Sequence, residues 1–201
     1  MIIKSTGEPT YRLPDIAYHC DKFRRQYDLM IDIFGADHVA TYPDVLVALK
    51  ALGYDTDKVR VLIHQFVTIM QGNEVVKMST RKANYITLDE LVKEVGTDAV
   101  RYFFIMRTIS SHLNFDLALA RQQSDENPVY YVQYAHARIS SILRFAAREG
   151  RTVEQGALES DLLTSPEEMT LIKRLLQFPE VVESCAMTHE PHRLADYLHD
   201  L

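Results

Sequence analysis

Cys20 and Cys185 are the only cysteines in this 201-residue chain. They lie far apart in the sequence, which excludes a disulfide framework and a metal site of the paired CxxC type, and fits a reducing compartment. No apolar run approaches the roughly 18 to 20 residues needed to span a bilayer. The opening MIIKSTGEPTY has no long apolar stretch followed by a cleavage site. These absences point to the cytoplasm and to no membrane partner. Positive charge is in deficit, with 22 Lys and Arg against 28 Asp and Glu for a net charge of -6. A surface coated in positive potential is thereby excluded, and any nucleic-acid contact has to come from a local basic face. Internal repeats and low-complexity tracts are also absent. What remains is 47% hydrophobic and 25% charged, enough for a core, and the length allows one or two compact units.

The first half alternates helical and strand patterns. In LPDIAYHCDKFRRQY, from Leu13, the residues Ile16, Cys20, Phe23 and Tyr27 fall on one helical face, with Pro14 in the first turn. LMIDIF, residues 29 to 34, is short and apolar-rich and reads as a strand ending at Gly35. From Pro43, Val45, Leu49 and Leu52 have helical spacing that Gly53 can end. VRVLIHQFVTIM, residues 59 to 70, is β-branched and reads as one strand, with a turn at Gln71 to Glu74 leading to a hairpin partner at Val75 to Lys77. Helix, strand, helix, strand is the order of an α/β layer, and parallel strands joined by helices leave ligand crevices at their carboxyl ends. The first half is therefore expected to be a nucleotide-binding sheet.

The second half reads as helical. Thr87 with Glu90 forms a capping-box pattern before Leu88, Leu91, Val92 and Val95, with Gly96 as the stop. Asp98 starts a further helix. From Glu126 to Gly150 the residues Val129, Val132, Ala135, Ile139, Ile142, Leu143 and Ala146 make one apolar stripe on a long amphipathic helix. Ser165 and Pro166 open another helix through Met169, Ile172, Leu175 and Leu176, which Pro179 ends. Residues 150 to 165 read as a surface loop. The expected fold class is α/β followed by all-α, with residues 1 to 118 as one domain and 119 to 201 as a second.

The most informative short motif is Val76-Lys77-Met78-Ser79-Thr80-Arg81-Lys82, after the predicted hairpin and before a helix. Lysine, serine and arginine can surround a polyphosphate and stabilise the charge that develops on departing pyrophosphate. Taken alone, a basic loop is more often solvated surface. This one resembles the KMSK loop of class I aminoacyl-tRNA synthetases, and the surrounding VKMSTRKANYITLDELVKEVGTDAVRYFFIMR is similar to arginyl-tRNA synthetases in particular. Three more blocks extend the resemblance in the same order: GEPTYRLPDIAYHCDKF at 7 to 23, IDIFGADH at 31 to 38, and HLNFDLALARQQSDENPVYYVQYAHARISSILR at 112 to 144. The closing HRLADYLHDL resembles the start of a helix in the family's anticodon-binding domain. The chain as a whole resembles a carboxy-terminal fragment of such an enzyme: the rear half of a Rossmann-like catalytic domain, then a truncated helical-bundle domain.

The resemblance implies an arginine–tRNA ligase that works through arginyl-adenylate, with arginine, ATP and tRNA(Arg) as partners, magnesium accompanying the ATP, and a monomeric state. It places Tyr11, Asp15 and His38 at the arginine. A carboxylate can hold a guanidinium by two parallel hydrogen bonds and a tyrosine can offer its ring face or hydroxyl, a fork that a lysine substrate cannot match. The same residues also have ordinary structural readings: a first-turn carboxylate favoured by the helix dipole for Asp15, packing for Tyr11. ATP contacts are implied for Val76, Lys77, Met78, Ser79 and Thr80, and catalytic roles for Lys77, Ser79, Arg81 and Lys82. Thr80 stands where the family has its second loop lysine, so Arg81 or Lys82 has to supply that charge. Asn127, Tyr131, Gln133, Tyr134 and Arg138 are implied at the tRNA, where tyrosines stack and polar groups meet the backbone; tyrosines packed between domains are the alternative. No metal-ligand set is implied. The 201 residues contain no His-Ile-Gly-His type tetrapeptide, so the isolated chain is expected to be inactive. A non-catalytic tRNA-binding paralogue or module is the alternative function.

Overall fold

The computed structural model describes residues 3–72, 74–76, 86–151 and 162–201. Lys77, Met78, Ser79, Thr80, Arg81 and Lys82 lie outside the described residues, as does most of the expected loop at 150 to 165. By contacts the chain divides into two compact units: residues 1–66 with 109–112, and residues 67–108 with 113–201.

In the first unit, helix α1 (Arg12–Arg24) and helix α2 (Tyr42–Ala51) pack through Ile16, Val45 and the fully buried Leu49, with Cys20 and Phe23 against them. Phe23 also stacks on Tyr54 with ring centroids 4.6 Å apart. The spacing expected from the sequence thus holds for Ile16, Cys20 and Phe23. It fails at Tyr27: α1 stops at Arg24 because Gln26 turns to a φ of 59°, and Tyr27 is left half exposed beyond the helix. Strands β1 (Met30–Gly35) and β2 (Val59–His64) pair in parallel, from Met30 opposite Val59 to Gly35 opposite His64. Parallel pairing requires a crossover of a dozen residues or more, and α2 supplies it. Along β1, Met30 and Asp32 face inward while Ile31 and Ile33 are exposed. A carboxylate on the inner face of a strand requires partners, and they define the site below.

In the second unit, β3 (Val67–Gln71) pairs antiparallel with β4 (Glu74–Val75) and in parallel with β5 (Leu113–Asp116). The single strand expected over 59 to 70 is therefore two strands in two sheets. It breaks where Gln65 donates its amide to the Ile109 carbonyl at 2.9 Å and its side chain accepts from Phe66. The hairpin partner is β4, which starts at Glu74, one residue before the expected Val75; Lys77 lies outside the described residues. β5 was not expected, because four residues of alternation, with Leu113 and Phe115 buried, are too short a signal.

Helix α3 (Leu88–Val95) starts at a complete capping box: Glu90 accepts from the Thr87 amide at 2.8 Å, and the Thr87 hydroxyl accepts from the Glu90 amide. Those bonds from Thr87 hold the Glu90 carboxyl below its ordinary range. With α4 (Thr97–Ile105) and α5 (Leu117–Arg121), α3 closes over Ile69, Leu113 and Phe115 to make the main core. Helices α6 (Pro128–Arg148), α7 (Pro166–Leu176), α8 (Phe178–Thr188) and α9 (His192–Asp200) follow. Ser165 and Glu168 form the second capping box. Pro179 follows the end of α7 as expected, but it sits in the first turn of α8.

The apolar stripe of α6 needs correction. Val129 is buried, whereas Ile139, Ile142 and Leu143 are 58%, 65% and 55% exposed. The contacts of α6 cluster at its start, where Gln133 donates to Asp98 and the Tyr131 ring lies 4.9 Å from that of His199. Periodicity marks a face that suits burial; it does not say which neighbours cover it.

Candidate functional site

The carboxyl ends of β1 and the start of α1 frame a cavity of about 280 Å³ in the first unit, near the lower edge of the roughly 300 to 1,000 Å³ typical of small-ligand pockets. That size suits a ligand on the scale of an amino acid. Phe34, Val45, Leu46 and Val61 give it apolar walls, and Tyr11, Asp15 and His38 line it together. Three residues separated by 27 positions in sequence thus share one cavity.

Each is positioned by its element. Tyr11 is the N-cap residue of α1 and is 93% exposed, so packing does not hold its ring. Asp15 lies one turn on, on the same face, in the first turn where the helix dipole favours a carboxylate. Among the described residues its side chain has no hydrogen-bonding or ion-pair partner, which leaves it able to accept two hydrogen bonds from a ligand. His38 ends the short 3-10 turn Ala36–His38 that follows β1, and its ring stacks on Phe34 with centroids 5.4 Å apart. Arg12 also faces the cavity, with Nε 2.7 Å from an Asp44 carboxylate oxygen, joining the starts of α1 and α2.

Beneath this face lies a buried network that sequence reasoning missed. His19 is 5% exposed; its Nδ1 is 2.7 Å from the Asp15 carbonyl and its Nε2 is 2.7 Å from an Asp32 carboxylate oxygen. Lys22 donates to the other Asp32 oxygen. Burial works against an ionised Asp32, but hydrogen bonds from Lys22 and His19 outweigh it and hold the carboxyl below its ordinary value. The signal was available: Asp15, His19 and Lys22 recur at helical spacing, and Asp32 interrupts an apolar strand between two isoleucines.

The remaining expected residues are placed in the second unit or fall outside it. Val76 is partly buried and donates its amide to the Ile69 carbonyl at 2.9 Å. Tyr131, Gln133, Tyr134 and Arg138 lie on exposed positions of α6, with the Arg138 guanidinium 5.7 Å from the centre of the Tyr134 ring. Asn127 does not share that exposure. It is 4% exposed, caps α6 by accepting from the Val129 amide, and donates to the Ala120 and Gln122 carbonyls. Its amide is fully engaged in holding the start of the helix. Among the described residues no group of three or more His, Cys, Asp or Glu could hold a metal ion, and no helix is long and apolar enough to cross a membrane.

Comparison with known proteins identifies the family and the fold. Residues 1–107 match the family of class I tRNA synthetases (R), catalytic domain, and residues 132–201 match the DALR anticodon binding domain. The fold is that of a class I aminoacyl-tRNA synthetase, in catalytic and anticodon-binding portions. The chain is 55% identical over 201 residues to the arginine–tRNA ligase of Salinibacter ruber, covering all of this chain and 36% of that protein. It is also 55% identical over 199 residues to that of Desulfotalea psychrophila, again 36% of its length. In structure it is similar to an arginyl-tRNA synthetase from Campylobacter jejuni, with a TM-score of 0.84 and 32% identity over 99% of this chain and 43% of that one. The Thermus thermophilus arginyl-tRNA synthetase gives a TM-score of 0.74 at 25% identity, over all of this chain and 41% of that one. The chain belongs to the arginyl-tRNA synthetase family. It spans a little over a third of the length of these curated relatives.

Proposed function

We propose that this chain supplies the arginine-recognising and pyrophosphate-stabilising part of an arginine–tRNA ligase, together with part of its anticodon-binding domain. The observation that carries the reading is the Asp15 carboxylate, without a partner among the described residues, one helical turn from Tyr11 on a cavity of amino-acid size. Asp15 takes the guanidinium by paired hydrogen bonds, Tyr11 covers its flat face, and His38 closes the far wall. The arginine carboxylate then attacks the α-phosphate of ATP; the bond to pyrophosphate breaks as the bond to arginine forms. Lys77, Ser79 and the adjacent Arg81 and Lys82 stabilise the leaving pyrophosphate, and Val76 to Thr80 hold the nucleotide. The arginyl group next passes to the terminal adenosine of tRNA, releasing AMP. The protein contributes chiefly positioning and charge stabilisation.

Magnesium would neutralise ATP phosphate charge, but the described residues offer it no cluster of ligands, so no step is assigned to it. Tyr131, Gln133, Tyr134 and Arg138 are proposed to face tRNA from α6. The functional division is placed at residues 118 and 119, between the two family matches, and the enzyme is read as cytoplasmic and monomeric.

The test is arginine-dependent exchange of pyrophosphate into ATP, in the enzyme completed with the family's His-Ile-Gly-His-bearing portion and supplied with tRNA. Asp15→Asn should weaken arginine by about 2 kcal/mol, roughly thirtyfold in KM, with ATP barely affected, because one side of a charged hydrogen-bond pair is lost. Unchanged arginine kinetics would remove Asp15 from the pocket. Binding of tRNA without binding of arginine would favour the non-catalytic module instead.

A further inference from the structure

The His19 network asks for a role beyond packing. A histidine buried this deeply has to satisfy its nitrogens, and here each lies 2.7 Å from an oxygen in a residue 5% exposed. The two partners lie on different elements: the Asp15 carbonyl in the first turn of α1, and the Asp32 carboxylate on β1. Both are acceptors. Each ring nitrogen therefore faces an oxygen acceptor, on α1 at one end and on β1 at the other. Lys22 takes the remaining Asp32 oxygen, which keeps that carboxyl ionised. Each end of the strap is therefore closed. His19 and Asp32 also line the same cavity as Tyr11 and Asp15, so a shift in the strap reaches the binding face directly.

We propose that His19 is a positioning residue of the pocket: an imidazole held at both nitrogens that ties the Asp15 turn of α1 to Asp32 of β1 and so fixes where the guanidinium is read. The inference deepens the arginine-pocket reading and rests on it. The physical reason is tolerance. Paired hydrogen bonds to a planar cation demand a carboxylate placed to a fraction of an ångström, and the first turn of a helix frays unless something other than its own ladder holds it. Ile16 packs on Val45 and Leu49 and Arg12 pairs with Asp44, both toward α2; the His19 strap adds a tie to β1.

The experiment uses the uniformly 15N-labelled 201-residue chain in neutral buffer and follows its backbone amide signals. His19→Gln should displace the backbone signals of Tyr11 and Asp15 and weaken arginine, titrated by NMR, about tenfold. Cys20→Ala on the same helix is the control for simple destabilisation: it should lower the melting temperature without moving those signals or the arginine affinity. If Tyr11 and Asp15 stay in place in His19→Gln, or move equally in Cys20→Ala, the positioning role is wrong whether or not arginine binds. If arginine shifts nothing in the unaltered chain while the His19→Gln displacement appears, the pocket reading fails and the strap stands.

Discussion

At the scale of single residues, the site is built from a contrast between two carboxylates. Asp15 is exposed and without a partner among the described residues, while Asp32 is 6% exposed with both oxygens taken by Lys22 and His19. The first suits a ligand and the second suits structure. Because the folded carboxyl of Asp32 lies below its ordinary value of 3.8, its contribution to stability is complete above that value and is lost as pH falls through the folded one. Asp32→Asn should therefore cost about 3 kcal/mol near neutrality, since Lys22 loses its counter-charge and His19 its carboxylate partner. The gap in melting temperature between the two chains should be level down to about pH 5 and shrink below about pH 4. A gap that widens in acid would contradict the ion pairing. If Arg81 or Lys82 replaces the family lysine at Thr80, neutralising that cation in the completed enzyme should lower turnover about 100-fold with less effect on KM, and Thr80→Ala should do far less. Equal damage from Thr80→Ala would sink the compensation.

At the scale of elements, the helix starts were the most legible feature. The capping boxes at Thr87 and Ser165 are local chemistry, written within four residues, and both formed with the expected bonds. Ends that depend on distant partners were less legible. Asn127 is read from sequence as a polar residue near a long helix, yet two of its three bonds reach back to Ala120 and Gln122. Thr87→Ala should cost about 1 kcal/mol in urea unfolding, the usual worth of a cap. Asn127→Ala should cost about 2 kcal/mol or more, because it also leaves two carbonyls without their donor. Similar losses for the two would mean that the bonds to Ala120 and Gln122 contribute nothing.

At the scale of the molecule, the exposed faces matter as much as the cores. Ile31 and Ile33 on β1, and Ile139, Ile142 and Leu143 on α6, are each more than 40% exposed, a quantity of apolar surface that favours contact with further protein. The 201 residues also hold no His-Ile-Gly-His type element, and catalytic groups that act as a unit lose nearly all activity when part of the unit is removed. The purified chain, given tRNA, ATP and arginine, should show no arginine-dependent pyrophosphate exchange. Robust exchange free of host enzyme would mean that another part of this chain supplies the missing phosphate contacts.

The sequence by itself determined the family, the α/β-then-helical order, the helix caps and the three residues now found around one cavity. These rest on short-range chemistry or on long ordered blocks of similarity, neither of which needs coordinates. Only the tertiary structure decided that residues 59 to 71 serve two sheets, that Leu113–Asp116 is a strand, that the stripe of α6 is exposed, and that His19 joins Asp15 to Asp32. Each of those depends on which distant groups meet: a strand is defined by its partner's hydrogen bonds, burial by what packs alongside, and a histidine's orientation by the acceptors on either side.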